Sequence, residues 1–245
     1  MKKLVFVIII LTGLTGIIIW NDQVDVSIPE TLIEKQNTPS PSLSAKASST
    51  PLMSVTYDVP FLSQAPLGGW SDPRQQDGCE EASVLMAAHW VRGEKITSAQ
   101  AGLEKLLLLS KFGEEEYGTF HDTSIEVTAK FFQDYYQIDS AKVEYDITVN
   151  DIVNALRDGK IVIVPTNGQL LGNPNFTSPG PVYHMLVVIG FNQTKKIFIT
   201  NDPGTRNGAK YQYSYDRLYN AISGYETGQH IPRIGDPKVM IAVSR

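Results

Sequence analysis

The chain contains very little cysteine and histidine for its length. Its 245 residues include one cysteine and four histidines. A single cysteine excludes a disulfide within the chain, and a zinc site usually needs several Cys or His ligands. The sequence also lacks an HExxH motif, a P-loop and a Rossmann glycine signature. We therefore expect no metal ion and no organic cofactor.

An excess of positive charge is absent as well. Lys and Arg number 21 against 26 Asp and Glu, which gives a formal net charge of −5 at pH 7. No basic cluster is interleaved with aromatic residues, the pattern that is typical of nucleic-acid interfaces. The composition therefore argues against nucleic acid as a partner.

The N-terminus carries the pattern of a membrane-targeting segment. Lys2 and Lys3 precede an uncharged run from Leu4 to Trp20. A run of about 17 residues is at the lower limit for a spanning helix and also fits a long signal-peptide core. No small-x-small cleavage site follows it, so we expect a signal anchor over residues 1–20, with a cleaved signal peptide as the alternative. The remaining chain is then extracytoplasmic, either membrane-anchored or secreted.

Two further regions follow the targeting segment. Residues 21–54 are rich in Pro and Ser and lack core residues, which predicts a disordered linker. Residues 55–245 have enough apolar content for one globular domain. Helical patterns come first and strand patterns later, which is typical of the α+β class.

Capping signals and changes of hydrophobic period locate the elements of this domain. Capping boxes begin at Thr97, Thr123 and Thr148. The predicted helices are 79–91, 97–109, 123–137, 148–158 and 215–222, and the predicted strands are 55–61, 161–165, 182–191, 196–200, 209–213 and 239–243.

The only cysteine, Cys79, lies where a turn gives way to the first predicted helix. A thiol at a helix N-terminus meets unpaired backbone N–H groups and the positive end of the dipole, and both favour the thiolate. The thiolate is the nucleophilic form of cysteine. The alternative is a free cysteine packed as a small hydrophobic side chain.

Four histidines compete for the role of the base that such a nucleophile needs. His184 interrupts an otherwise apolar strand, where an imidazole without a partner would be costly. His89 lies along the helix of Cys79, about 15 Å of rise away and on a different face. His121 precedes a helix and His230 lies in a Gly/Pro-rich loop, so either could be an exposed polar residue. His184 is favoured, with a structural buried histidine as the alternative.

An orienting acid for His184 is predicted from a β-hairpin. If the turn is centred near 193–194, antiparallel pairing places Asp202 within about one residue of the position opposite His184. A hydrogen bond between them would fix the imidazole tautomer and stabilise the imidazolium. Asn201 could point inward instead, and 202–204 is also an ordinary turn sequence.

These residues occur in four stretches, 59–64, 78–83, 184–191 and 201–204. In this order they resemble the papain-like cysteine peptidases of the bacteriocin leader-peptidase type (cysteine peptidase family thirty-nine), in the C39-like branch. The resemblance implies a papain-like fold, with a helical part that carries the cysteine and an antiparallel sheet that carries the histidine and the acid. It assigns the nucleophile to Cys79, the base to His184 and the orienting acid to Asp202.

The resemblance also implies a glutamine that donates to the oxyanion, and Gln64 matches its position. The stretch from Gln64 to Cys79 is longer than is usual in papain-like enzymes, so Gln75 and Gln76 are rivals for this role. Glu80 stands where transporter-linked members usually carry Gly, and no ATP-binding cassette follows in this chain.

We therefore expect an extracytoplasmic thiol hydrolase that cleaves peptide bonds with Cys79, His184 and Asp202. Its partners would be a peptide or protein substrate and, through the N-terminal helix, the membrane. The alternatives are an acyltransferase or cell-wall amidase with the same three residues, or a catalytically inactive peptide-binding module.

Overall fold

The structure, a computed structural model, describes residues 52–229, 231 and 238–245. The predicted targeting segment and all but the last residues of the predicted linker lie outside this part of the chain. Within it, the helices are α1 (Pro73–Gln76), α2 (Cys79–Arg92), α3 (Ala99–Tyr117), α4 (Ile125–Asp134), α5 (Val149–Arg157), α6 (Gly168–Leu171) and α7 (Tyr215–Ala221). The strands are β1 (Ser54–Thr56), β2 (Ala141–Tyr145), β3 (Ile161–Thr166), β4 (His184–Asn192), β5 (Ile197–Asn201), β6 (Tyr211–Ser214) and β7 (Val239–Val243).

The strands of the described chain form one antiparallel sheet in the order β2-β7-β3-β4-β5-β6, and β1 pairs with β4. Most of the helical residues precede β3 and most of the sheet follows it. The predicted α+β class is therefore confirmed.

Helices cover both faces of the sheet because successive strand residues point to opposite sides. Ile163 and Val187 belong to the core cluster under α2, α3 and α4. Their neighbours Val164 and Leu186 belong to a second cluster under α5 and α7. The central strands are apolar on both faces, which explains the uninterrupted hydrophobic runs in their sequences.

Helix α2 is buried on all sides from Cys79 to Trp90 and packs against β4. Full burial of side chains such as Leu85 and Met86 stabilises the fold by about 1.5–3 kcal/mol each. This packing fixes the start of α2 relative to the start of β4, and Cys79 and His184 occupy those two positions.

One of the three predicted capping boxes is confirmed, and two are wrong by one residue. Thr148 and Asp151 cap α5 reciprocally, as predicted. The hydroxyls of Ser98 and Ser124, rather than those of Thr97 and Thr123, cap α3 and α4. A hydroxyl at either of two adjacent positions suits an N-cap, so the sequence alone does not distinguish them.

Several predicted elements have different lengths in the structure, α3 and β1 among them. Helix α3 continues to Tyr117 and ends at Gly118, whose φ of 78° suits a glycine C-cap. The predicted first strand, 55–61, is reduced to β1, although the N–H of Tyr57 still donates to the carbonyl of Ile189 over 2.8 Å. Beyond it the chain leaves the edge of the sheet before Pro60, which has no N–H to donate.

Candidate active site

Cys79 is the first residue of α2, as the sequence predicted. The N-cap residue before it, Gly78, makes no side-chain hydrogen bond. A Cβ on Gly78 would lie 2.4 Å from the carbonyl oxygen of Arg74, so glycine is needed for the close approach of α1 to this point. The N–H groups of a first helical turn have no acceptor within the helix, which makes the backbone N–H of Cys79 a candidate oxyanion donor.

The thiol of Cys79 is buried, and its surroundings disfavour the thiolate. Cys79 is 4% exposed, and its S–H donates to Oε2 of Glu80 over 3.0 Å. Burial raises the pKa of Cys79 well above its usual range and the Glu80 carboxyl, when it is ionised, raises it further, whereas a backbone hydrogen bond from Met185 lowers it. The expectation that the helix start favours the thiolate is therefore wrong for this state, because desolvation of a charged sulfur outweighs the dipole.

The side chains of His184 and Asp202 meet across the β4–β5 hairpin. A β-bulge between Val188 and Gly190 shifts the register by one residue, and the last pair is Val187 with Asn201. Asp202 follows this pair, and its Oδ1 lies 2.7 Å from Nε2 of His184. The two residues are 0% and 1% exposed. The hydrogen bond predicted between them is present, and their catalytic roles stay predictions.

Asn201, the alternative inward residue, makes its hydrogen bonds elsewhere. Its amide donates to the carbonyl of Val59 over 3.0 Å, and its Oδ1 accepts from the N–H of Lys210 over 3.1 Å. Asn201 therefore ties the segment after β1 to the sheet, while Asp202 pairs with His184.

Three groups besides His184 hold the Asp202 carboxylate. The Tyr213 hydroxyl donates to Oδ2 over 2.6 Å, the Asn173 amide donates to the same oxygen over 3.2 Å, and the Gly204 N–H donates to Oδ1 over 3.0 Å. Burial alone would raise the pKa of Asp202, but the His184 charge and these hydrogen bonds lower it overall. The carboxylate is thus ionised and fixed in position beside the imidazole.

Asn173 and Tyr213 are residues that the sequence did not reveal as part of this site. The amide of Asn173 also donates to the Tyr213 hydroxyl over 2.8 Å, so the two form one network beneath Asp202. For Asn173 the only signal in the sequence is that the stretch after β3 is rich in Asn, Gly and Pro, a composition that fits the wall of a cleft and a surface loop equally well.

Nε2 of His184 is engaged by Asp202, and the imidazole ring has two further neighbours. Phe176 packs edge-on against the imidazole, with ring centroids 5.2 Å apart. Gly204 lies just after the end of β5. A Cβ on this residue would lie 2.8 Å from Cε1 of His184, so only glycine fits there. The ring is therefore fixed by Asp202 at Nε2, by Phe176 and by the Gly204 backbone.

The remaining histidines have other partners. Nδ1 of His89 lies 2.9 Å from the Leu85 carbonyl within α2. Nδ1 of His121 lies 2.6 Å from Oδ2 of Asp77. His230 is outside the described residues. Among the histidines that the structure describes, His184 is the one that lines the cleft beside Cys79.

Gln64 lines the same cleft, but its amide already has two acceptors. Its Nε2 donates to the carbonyls of Gln75 over 3.0 Å and Gln76 over 2.7 Å. The side chain thus ties the turn before Cys79 to the segment after β1. Of the two rivals, Gln76 lines the cleft, whereas Gln75 is buried in α1. The oxyanion role of Gln64 stays a prediction.

The cleft has a volume of about 640 Å³, and both Cys79 and His184 line it. Its walls combine apolar and charged groups: Trp70, Phe176 and Val182, with Asp77, Asp122 and Arg206. The segment between β3 and β4 forms part of the wall, which is one of the two possibilities that its sequence left open. A cleft of this size can hold a short stretch of peptide.

Two features are absent from the described part of the chain. No helix there is both long enough and apolar enough to cross a membrane. No group of three or more His, Cys, Asp or Glu side chains among residues 52–229, 231 and 238–245 is arranged to hold a metal ion. The predicted targeting segment, residues 1–20, lies beyond this range.

The chain is similar in sequence and in structure to known proteins. The model of the Peptidase C39 like family matches residues 56–229. A crystal structure of a candidate C39-like peptidase from Bacillus anthracis is similar, with a TM-score of 0.50 at 15% sequence identity. The match covers 78% of this chain and 98% of that one. No curated protein matches the sequence. At this identity the structural likeness shows a shared papain-like fold.

Proposed function

The chain belongs to the Peptidase C39 like family, and from this we propose that it is an extracytoplasmic cysteine peptidase that hydrolyses amide bonds in peptides. One observation carries the proposal. Cys79 and His184 line one cleft, and Nε2 of His184 lies 2.7 Å from Oδ1 of Asp202, so Nδ1 is the ring nitrogen that would accept the thiol proton. A nucleophile, a base and a group that orients the base are the parts that thiol-dependent hydrolysis requires.

In the first half of the reaction, Nδ1 of His184 accepts the Cys79 proton and the thiolate attacks the substrate carbonyl carbon. The carbonyl oxygen becomes an oxyanion, to which the backbone N–H of Cys79 donates. The ionised Asp202 stabilises the imidazolium. His184 then gives its proton to the amine as the C–N bond breaks, which leaves an acyl thioester on Cys79.

In the second half, water replaces the amine. His184 accepts a proton from water while the oxygen attacks the thioester carbonyl. The C–S bond then breaks, the acid product leaves, and the proton returns to the sulfur. An acyltransferase would follow the same course with another nucleophile in place of water.

Incubation of the full chain with a peptide library, followed by mass spectrometry of the products, tests the proposal. Hydrolysis predicts two fragments whose masses sum to the substrate plus one water. Products joined to a second amine would instead indicate acyl transfer. Absence of any product, with peptide still bound, would indicate a peptide-binding module and overturn the proposal.

Replacing Gln64 with alanine is expected to lower kcat by roughly 10²–10³-fold, the cost of losing one oxyanion donor. For this role one amide hydrogen must move from the carbonyl of Gln75 or Gln76 to the substrate oxyanion. Steady-state kinetics on a cleaved peptide would measure the effect.

Gln76→Ala is the matched control, because Gln76 lines the same cleft and contacts Gln64 through its backbone carbonyl. Its side chain is not needed for that contact, so a much smaller loss is expected. The reverse ranking would move the oxyanion role from Gln64 to the turn before Cys79.

We further propose that residues 1–20 hold the domain at the outer side of a membrane, on the strength of the uncharged run that follows Lys2 and Lys3. The full-length chain should then stay in the membrane fraction after a carbonate wash, because a spanning helix is not an electrostatic attachment. A soluble chain with a new N-terminus after this run would contradict the anchor and establish a secreted protein.

A further inference from the structure

Glu80 is a buried carboxyl in direct contact with the sulfur of Cys79. It is 0% exposed in the first turn of α2, and its Oε2 lies 3.0 Å from Sγ. The mechanism proposed for Cys79 assigns no role to this carboxyl.

The groups around Glu80 are acids and hydroxyls. Those on α2 are Cys79 and Glu81, and those from other elements are Asp122 before α4, Tyr183 before β4 and Tyr225 after α7. His184, on β4, lines the cleft together with Cys79. Burial raises the pKa of Glu80 well above its usual range, and the negative charge of Glu81 raises it further. Glu81 is similarly affected by burial, which raises its pKa to about 8.

A neutral carboxylic acid can do what a carboxylate cannot, because it carries an O–H that donates. A carboxylate 3.0 Å from the sulfur would oppose a thiolate there, whereas an O–H would stabilise it. Acids that are kept neutral by an apolar site serve as hydrogen-bond donors in other enzymes.

We propose that Glu80 acts as a neutral acid that donates a hydrogen bond to the Cys79 thiolate, an inference that rests on the proposed function of Cys79. In the resting state the S–H donates to Glu80. When His184 takes the thiol proton, the Glu80 carboxyl turns its own O–H toward the sulfur and keeps its proton. Formation of the C–S bond to substrate ends this interaction, and no net proton passes through Glu80.

The test is the pH dependence of Cys79 alkylation by iodoacetamide in the full chain. Cys79 is the only cysteine, so the total thiol reactivity reports on this sulfur alone. Glu80→Gln keeps a neutral donor and should leave the midpoint of the curve within about half a pH unit of the wild type. Glu80→Met has a similar length without a donor and should raise the midpoint by about one unit or more.

Glu81→Gln and Glu81→Met are the matched controls. Glu81 is equally buried on the same helical turn but makes no hydrogen bond to Cys79, so neither variant should move the midpoint in the way Glu80→Met does. Equal shifts in Glu80→Gln and Glu80→Met would overturn the proposal, because a neutral donor at this position would then have no effect of its own. A downward shift in both would indicate that Glu80 is ionised. An unchanged midpoint in Glu80→Met would overturn it as well.

A second measurement on the wild type does not depend on how Glu80→Met folds. The ¹³C shift of the Glu80 carboxyl, assigned by its loss in Glu80→Gln, should be that of a neutral acid at pH 7. The shift of a carboxylate at pH 7 would contradict the proposal. Neither readout requires a substrate, so failure to find peptide cleavage would refute the proposed function without altering the result for Glu80.

Discussion

Cys79→Ala is expected to lower the turnover of any cleaved peptide by roughly 10⁵–10⁶-fold, as the loss of a catalytic nucleophile does in comparable hydrolases. No other thiol exists in the chain to replace it. The fold should persist, because alanine suits the first turn of a helix and the substitution should cost about 1 kcal/mol of stability. Single-turnover kinetics and thermal unfolding monitored by circular dichroism would measure the two effects.

Ser110→Ala is a suitable control for this substitution. Ser110 is as buried as Cys79 and similar in size, and its hydroxyl bonds only to the Leu106 carbonyl within α3. We expect its activity to be close to that of the wild type. Wild-type activity in Cys79→Ala would refute the nucleophile assignment, and unfolding of Cys79→Ala with retained structure in Ser110→Ala would mark Cys79 as a packing residue.

His184→Ala should reduce turnover about as strongly as the loss of Cys79, since the two act as a unit. Asp202→Asn should reduce kcat by about 10⁴-fold, because an amide at this position favours the wrong imidazole tautomer. The structure predicts a smaller loss for Tyr213→Phe, which removes one 2.6 Å hydrogen bond from Asp202 and leaves the carboxylate in place. Steady-state kinetics across pH would measure the three variants.

Asp202 determines how the activity falls on the acid side of the pH–rate profile. Its pKa is lowered in the folded protein, so its support for the imidazolium is present at neutral pH and is lost only as pH falls through that lowered value.

His121→Asn is the control for His184→Ala, because His121 pairs with Asp77 rather than with Cys79 or Asp202. Loss of activity in His121→Asn with activity retained in His184→Ala would contradict the assignment of the base.

The proximity of His184 and Asp202 could be predicted from the sequence because a hairpin is local. The short turn restricts the strand register to a few choices, and the imidazole of His184, buried in an apolar strand, requires a polar partner. The bulge between Val188 and Gly190 could not be predicted, yet the contact tolerates it because Asp202 lies beyond the last paired residues.

The protonation of the Cys79 thiol could not be predicted from the sequence. The helix dipole is a local property, and it favoured the thiolate. The opposing terms come from burial and from the Glu80 carboxyl, whose inward position depends on packing of the whole of α2. Two acidic residues at a helix start would ordinarily be exposed partners of the dipole.

The hydrogen bonds from Asn173 and Tyr213 to Asp202 could not be predicted from the sequence either. Asn173 follows α6 and Tyr213 lies on β6, and neither carries a pattern that distinguishes it from a loop or strand residue. Their contact with Asp202 depends on how the segment between β3 and β4 packs against the sheet, a long-range feature that periodicity and capping do not encode.

Capture of the acyl intermediate tests the central claim, that peptide cleavage proceeds through a thioester on Cys79. The full chain would be mixed with a cleaved peptide, quenched in acid within one turnover, digested and measured by mass spectrometry. The account predicts that the fragment containing Cys79 carries the acyl half of the substrate and loses it on treatment with hydroxylamine. Cleavage of the peptide without an adduct on Cys79, or with the adduct on another residue, would contradict it.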